Sequence, residues 1–209
     1  MTTTIRSYVG GAWVDPAGKP QPIVNPATEE PIAEVAGGTI DWAKALGQAR
    51  TVGSTLRKLT FAERAKLVKA ISKLVHTNRD ELLGLAIANG GNTRGDAKFD
   101  VDGASGTLAA YADWGAGIGD VTYLMDGEPS QLTRSVRFVG QHIAVPRRGV
   151  AVHINAFNFP AWGMMEKAAV ALLAGVPVIT KPATSTALVA YRMVGRTDEL
   201  FPSPSGAAR

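Results

Sequence analysis

The chain has 209 residues, 45% hydrophobic and 19% charged, which is ordinary for a folded domain able to bury a core of its own. Its 22 Lys plus Arg against 18 Asp plus Glu leave a formal charge of +4 spread along the sequence, and no stretch approaches the roughly 20 apolar residues of a bilayer span, so neither membrane nor nucleic acid is indicated as a partner. Cysteine is absent, which excludes disulfides, thiolate metal sites and a cysteine nucleophile.

The opening residues Met1 to Arg6 carry no apolar secretory pattern, so a cytoplasmic location is expected. Tyr8 to Val14 reads as two short extended runs about Gly10-Gly11, a surface hairpin. Asn25-Pro26-Ala27-Thr28 is a turn before another extended run, Pro31 to Val35, because proline biases its predecessor away from helix.

From Thr39 to about Gly115 the period is helical. Thr60-Phe61-Ala62-Glu63 has the capping-box spacing, in which the Thr hydroxyl accepts from the N3 amide and the Glu carboxylate from the cap amide. Phe61, Ala65, Val68, Ile71 and Val75 then recur at helical spacing, and Arg64, Lys66, Lys69 and Lys73 are expected on the solvated face. Asn78 with Glu81 repeats the capping spacing for a second helix that stops at Asn89-Gly90-Gly91, and Asp96 to Trp114 forms a third.

Between Asp120 and Arg148 the pattern returns to strand, with turns expected at Asp126-Gly127 and at Gly140, the latter separating Ser135–Val139 from His142–Val145. Gly149 to Thr180 then has the length of one βαβ unit: an apolar run at Val150–Ile154, a helix through Met165 to Leu173, Gly175 at its end and a second apolar run at Val176–Thr180. Apolar runs without alternation fit a parallel sheet covered by helices. From Gly195 to Arg209 the apolar period is lost and two prolines appear, so that tail is expected to be disordered.

In a doubly wound sheet the ligand lies beyond the carboxyl ends of the parallel strands. Those ends carry Asn155-Ala156-Phe157-Asn158-Phe159-Pro160 and Lys181-Pro182-Ala183-Thr184. A side-chain amide such as Asn158 can donate to an oxygen gaining negative charge, and an ammonium such as Lys181 can bind ribose hydroxyls or phosphate. The alternatives are an Asn that caps its own turn and a Lys that is only solvated. Phe157, Phe159 and Trp162 either wall an acyl tunnel or pack in the core. Gly115-Ala116-Gly117-Ile118-Gly119 has the wrong spacing for a dinucleotide fingerprint and reads as a loop. His76, His142 and His153 are too scattered for a metal site.

The segments Asn155 to Trp162 and Lys181-Pro182-Ala183, with Gly11-Ala12-Trp13 and Asn25-Pro26-Ala27-Thr28, resemble the aldehyde dehydrogenase superfamily over about residues 5 to 194. The Ala156-to-Pro160 variant and Gly90 to Asp100 look closest to semialdehyde dehydrogenases acting on CoA-linked ring-cleavage products of phenylacetate or benzoate catabolism. The resemblance implies an α/β fold: the N-terminal part of the family's domain, with helices, an incomplete Rossmann-type parallel sheet and an oligomerisation hairpin at 121–148. Residues 1–194 would form a partial cofactor-binding domain and 195–209 a divergent tail. It further implies that Asn158 serves the oxyanion of a thiohemiacetal, and that Asn155, Ala156, Phe157, Lys181, Ala183 and Thr184 line the cofactor.

Many NAD-preferring members place Glu three positions after that Lys, so Thr184 removes the charge that repels a 2′-phosphate, and NADP is expected over NAD. The family's cysteine nucleophile is missing from the chain, and its glutamate base and pyrophosphate turn would follow the sequence given. The resemblance therefore implies a truncated enzyme for small-molecule aldehydes, inactive alone. The alternative is a non-catalytic module that pairs with a full-length relative through 121–148, as a homo- or hetero-oligomer.

Overall fold

In the computed structural model, which describes residues 3–38 and 40–200, nine strands and six α-helices alternate in four small sheets and one helical layer. β1 (Thr3–Ile5), β5 (Pro31–Val35) and β4 (Gln21–Val24) form a sheet in which β1 and β5 are parallel and β4 is antiparallel to β5. β2 (Ser7–Val9) and β3 (Ala12–Val14) form the expected hairpin. Gly10 and Gly11 turn it at φ of 61° and 81°, the left-handed pair that a two-residue turn matching strand twist requires.

The helices are α1 (Trp42–Leu56), α2 (Phe61–Thr77), α3 (Arg79–Gly90), α4 (Arg94–Ile118), α5 (Trp162–Leu173) and α6 (Ala187–Leu200). Both halves of the Thr60–Glu63 capping box form. Val68 and Val75 of α2, Leu82 and Leu83 of α3, Val101 and Leu108 of α4, Met165 of α5 and Met193 of α6 meet in one apolar core. The N-terminal sheet adds a smaller cluster, in which Ile23 and Ala33 pack on Leu188 of α6.

Several expectations are corrected. Arg64 is not on the solvated face: it is 1% exposed, its guanidinium lies 4.3 Å over the Phe61 ring, and none of its three side-chain nitrogens has a hydrogen-bond partner. Residue 64 stands three after Phe61 and four before Val68, on the apolar stripe itself. Burial holds its pKa below the usual guanidinium value. Asn78 joins α2 to α3 but makes no side-chain cap; its amide donates back to the Leu74 carbonyl, while Glu81 is drawn away to Arg192 and Arg196. Gly115 to Ile118 is the last turn of α4 rather than a loop, and the helix ends at Gly119 with φ of 89°.

β6 (Leu124–Gln131) and β7 (Val139–Ala144) pair antiparallel. Neither Asp126-Gly127 nor Gly140 makes the turn: Gly127, at φ of 73°, lies within β6 where the register shifts, and Gly140 pairs within β7. The chain reverses at 132–138, where Leu132 N–H donates to the Phe138 carbonyl, so Ser135 to Phe138 is turn rather than strand. Side-chain hydroxyls build this reversal, with Thr133 accepting from the Ser135 amide and Ser135 from the Arg137 amide.

The tail does not begin at Gly195. α6 runs through it to Leu200, because Arg196 pairs with Glu81 and Glu199, and the Asp198 carboxylate accepts from Tyr8 Oη at 2.6 Å and Trp13 Nε1 at 3.1 Å. Those contacts offset a mid-helix glycine that costs about 1 kcal/mol. Thr39 and residues 201–209 lie outside the described residues.

Candidate functional site

The βαβ unit is present as read: β8 (Ala151–Ile154) and β9 (Val178–Lys181) are parallel and in register from Ala151↔Val178 to Ile154↔Lys181, with α5 between them. Gly175 follows α5 at φ of 78°, the left-handed C′ residue that releases the chain into the next strand. Both strands therefore deliver their carboxyl ends to one edge. The Asn155 amide donates to the Lys181 carbonyl at 3.0 Å and locks the two ends together.

Beyond that lock the chain makes two short arms. On the first, Ala156, Phe157 and Asn158 are exposed and Pro160 and Ala161 are buried at the start of α5. On the second, Lys181 is exposed, Ala183 half-buried, and Thr184 exposed as the first residue of a single 3₁₀ turn, Thr184–Thr186. Of the cofactor candidates, Asn155 differs: it is buried, and neither side-chain amide atom has a hydrogen-bond partner. His153, two residues earlier and so on the same face of β8, has an unpartnered Nδ1, and burial with the nearby Lys167 ammonium pushes its pKa below the usual imidazole value.

Three features absent from the sequence reading position these arms. Asp100 of α4 is fully buried, and its carboxylate accepts from the Ala161 amide at 3.1 Å and the Trp162 amide at 2.7 Å. It therefore caps α5 from another helix, satisfying free N–H groups and the positive end of the dipole at once. Burial raises its pKa, against the two amide bonds that lower it. Its signal in the sequence is a carboxylate at position 100, between Ala97 and Ala104 on the apolar stripe of α4. Asn89 of α3 donates through Nδ2 to the Ser185 carbonyl at 2.8 Å and accepts at Oδ1 from the Leu188 amide at 3.1 Å. Thr186 Oγ1 donates to the Phe157 carbonyl at 2.9 Å.

Of the aromatic candidates, Phe159 and Trp162 meet edge-to-face with Phe99 of α4, with ring centroids 5.1 to 6.0 Å apart, and Trp162 Nε1 donates to Thr107. Phe157 stands apart and exposed. Glu166 is exposed and pairs with Lys167. Among the described residues no group of His, Cys, Asp or Glu is placed to hold a metal ion. A cavity of about 410 Å³ lies elsewhere, lined by Thr4, Arg6, Asp15 and Glu34.

The model of the aldehyde dehydrogenase family matches residues 13–206, a range that includes this strand pair and both arms. The chain belongs to the aldehyde dehydrogenase family. The match runs past Val194, where the resemblance was expected to end. A 3,4-dehydroadipyl-CoA semialdehyde dehydrogenase of Aromatoleum evansii is 47% identical over 204 residues, covering 97% of this chain and 40% of that protein. A 3,6-anhydro-alpha-L-galactose dehydrogenase of Vibrio sp. (strain EJY3) is 31% identical, again over 40% of its length. Among solved structures, 3,6-anhydro-L-galactose dehydrogenase in complex with NAP superposes with a TM-score of 0.80 at 26% identity, covering 94% of this chain and 40% of that one. Lactaldehyde dehydrogenase from Escherichia coli gives 0.82 at 25% identity, with 96% and 40% covered. The chain thus spans about two fifths of the length of the relatives it matches.

Proposed function

We propose that this chain is the N-terminal part of an NADP-dependent semialdehyde dehydrogenase, carrying the adenosine side of the cofactor site and the oxyanion donor, and silent on its own. One observation carries the proposal: Asn158 and the Lys181–Thr184 arm are exposed together at the carboxyl ends of two parallel strands, where open α/β sheets take their ligands. The 47% identity with a semialdehyde dehydrogenase supports the substrate class. The aromatic trio of Phe99, Phe159 and Trp162 beside Asn158 supplies an apolar wall for an acyl chain.

The residues present fit the phosphorylated dinucleotide. Lys181 offers a cation and Thr184 a hydroxyl, and Lys181 to Thr186 contains no carboxylate to repel a 2′-phosphate. Ala156 and Phe157 are exposed at the same strand edge. A nicotinamide cofactor held by these residues would supply the hydride acceptor. Asn158 donates its side-chain N–H to the oxygen that gains charge when the aldehyde carbon is attacked, a role worth about 10²–10³ in kcat at comparable sites. The chain has no cysteine to make that attack, so the thiolate has to come from outside these 209 residues. A cytoplasmic setting belongs to the same proposal.

The test is a chimera in which this chain replaces the matching segment of the Aromatoleum evansii enzyme. It is expected to oxidise the semialdehyde with NADP in preference to NAD, and to lose about 10²–10³ in kcat on Asn158→Ala. Equal use of both cofactors overturns the NADP preference, and an unaffected Asn158→Ala overturns the oxyanion role. The isolated chain is expected to show no aldehyde-dependent NADP reduction; turnover by it overturns the silence.

The β6–β7 hairpin favours a second reading, a module that assembles with another copy or with a full-length relative. Met125, Leu132, Val136, Phe138 and Ile143 are all exposed on it, a run of apolar surface of the kind that marks interaction sites. Gel filtration of the chain alone and mixed with a full-length relative tests this; no shift in either sample sinks it.

A further inference from the structure

We propose that Asn89 and Thr186 are positioning residues that hold the Lys181–Thr184 arm rigid for the adenosine phosphate of the cofactor. This role rests on the cofactor reading above.

The arm joins β9 to the 3₁₀ turn that leads into α6, with Lys181 and Thr184 exposed and Pro182 and Ala183 half-buried. Two side chains hold it, and they are 3% and 6% exposed. Asn89 arrives from the last turn of α3, 96 residues away in sequence, and uses both ends of its amide: Nδ2 donates to the Ser185 carbonyl, and Oδ1 accepts from the free Leu188 amide at the start of α6. A carboxylate offers no donor to Ser185, and an apolar side chain leaves both buried backbone groups unpaired. Thr186 closes the other side, donating to the Phe157 carbonyl on the Asn158 arm. Together with the Asn155 amide on the Lys181 carbonyl, these bonds tie both arms to each other and to α3. Neither Asn89 nor Thr186 reaches the crevice itself; each acts through the backbone that carries Lys181, Thr184 and Asn158. Rigid presentation matters because a bound ligand otherwise has to supply the ordering of the loop from its own binding energy.

The experiment uses the 209-residue chain with adenosine 2′,5′-bisphosphate as probe and adenosine 5′-monophosphate as control, followed by backbone amide NMR. Asn89→Ala and Thr186→Val are each expected to weaken binding of the bisphosphate by about tenfold or more, as removal of outer-shell supports does elsewhere, and Thr186→Ser is expected to restore it. Val68→Ala, which opens a cavity in the helical core and removes none of the hydrogen bonds that hold the arm, is expected to lower the melting temperature and leave affinity unchanged. Amide hydrogen exchange at residues 181–188 is expected to rise by about tenfold or more in the two variants and to stay unchanged elsewhere in the chain.

Tight binding by wild type with equal binding by Asn89→Ala and Thr186→Val overturns the proposal, as does unchanged exchange at 181–188. Equal loss of affinity in Val68→Ala overturns it too, because general destabilisation then explains the effect. Failure of wild type to bind the bisphosphate more tightly than the monophosphate strikes the cofactor reading itself, and the positioning role falls with it.

Discussion

At the scale of single residues, the two fully buried charges behave in opposite ways. Asp100 is paired: both carboxylate oxygens take backbone amides at the head of α5, so its desolvation is offset by charge-assisted bonds and by the helix dipole. Asp100→Ala leaves those amides without their acceptor and is expected to cost about 1–3 kcal/mol, read as a fall in the urea midpoint at constant slope. Arg64 has no hydrogen-bond partner; its guanidinium lies over the face of Phe61 and close to the reversal at Gly175. Arg64→Met keeps most of the volume and removes the buried charge, so stability is expected to hold or rise by about 1–4 kcal/mol. Arg64→Ala leaves a void and is expected to destabilise. A large loss in Arg64→Met would show that the cation has a stabilising partner.

Elements were legible where one local signal decided them. The capping box, the Gly10-Gly11 hairpin and the helix between two apolar strands each follow from spacing alone, because their hydrogen bonds close within a few residues. The placement of Asn158, Lys181 and Thr184, as distinct from their roles, was legible too, because two apolar runs around a helix pair in parallel and bring their carboxyl ends to one edge. What the sequence hid is long-range. Gly195 reads as a breaker until Arg196 and Asp198 find partners more than 100 residues away on α3 and the first hairpin. Asn78 spends its amide on Leu74 because Glu81, its capping partner by spacing, is taken by two arginines of α6. Asn89, Asp100 and Thr186 are polar residues whose partners lie in other segments; periodicity marks Asp100 as buried, but nothing local names the partner of any of the three.

The ion cluster that joins α3 to α6 through Glu81 gives their contact a pH dependence. Burial raises the Glu81 pKa, but the hydrogen bonds and charges of Arg196 and Arg192 outweigh it and hold the carboxyl below the usual range. A carboxylate with a depressed folded pKa adds stability that is full above the unfolded value, about 4.3, and is lost as pH falls through the folded value. The difference in stability between wild type and Glu81→Gln is therefore expected to be constant near neutrality and to shrink below about pH 4.3. Urea titrations of both proteins at several pH values measure it; a difference that does not change with pH would mean the contact between α3 and α6 does not depend on the charge.

For the whole molecule, the apolar core and the candidate site lie in different parts of the fold. The main core joins α2, α3, α4, α5 and α6. The parallel sheet is only two strands wide, and the side chains of Val152 and Ile154 on one of its faces are exposed, Ile154 at 75%. Parallel sheets are stable when helices cover both faces, and here α5 covers one. A cooperative melt of the helical layer is therefore compatible with a sheet that sticks to other copies through its uncovered face and its edges. Ile154→Lys with Val152→Thr adds charge and polarity to that face without touching the helical core. It is expected to lower light scattering during heating and raise the concentration at which the chain stays monodisperse, with the helical melting temperature unchanged. A melting temperature that falls with the double substitution would show that the sheet face is already packed in the folded chain, and that the crevice edge is more rigid than its two strands imply.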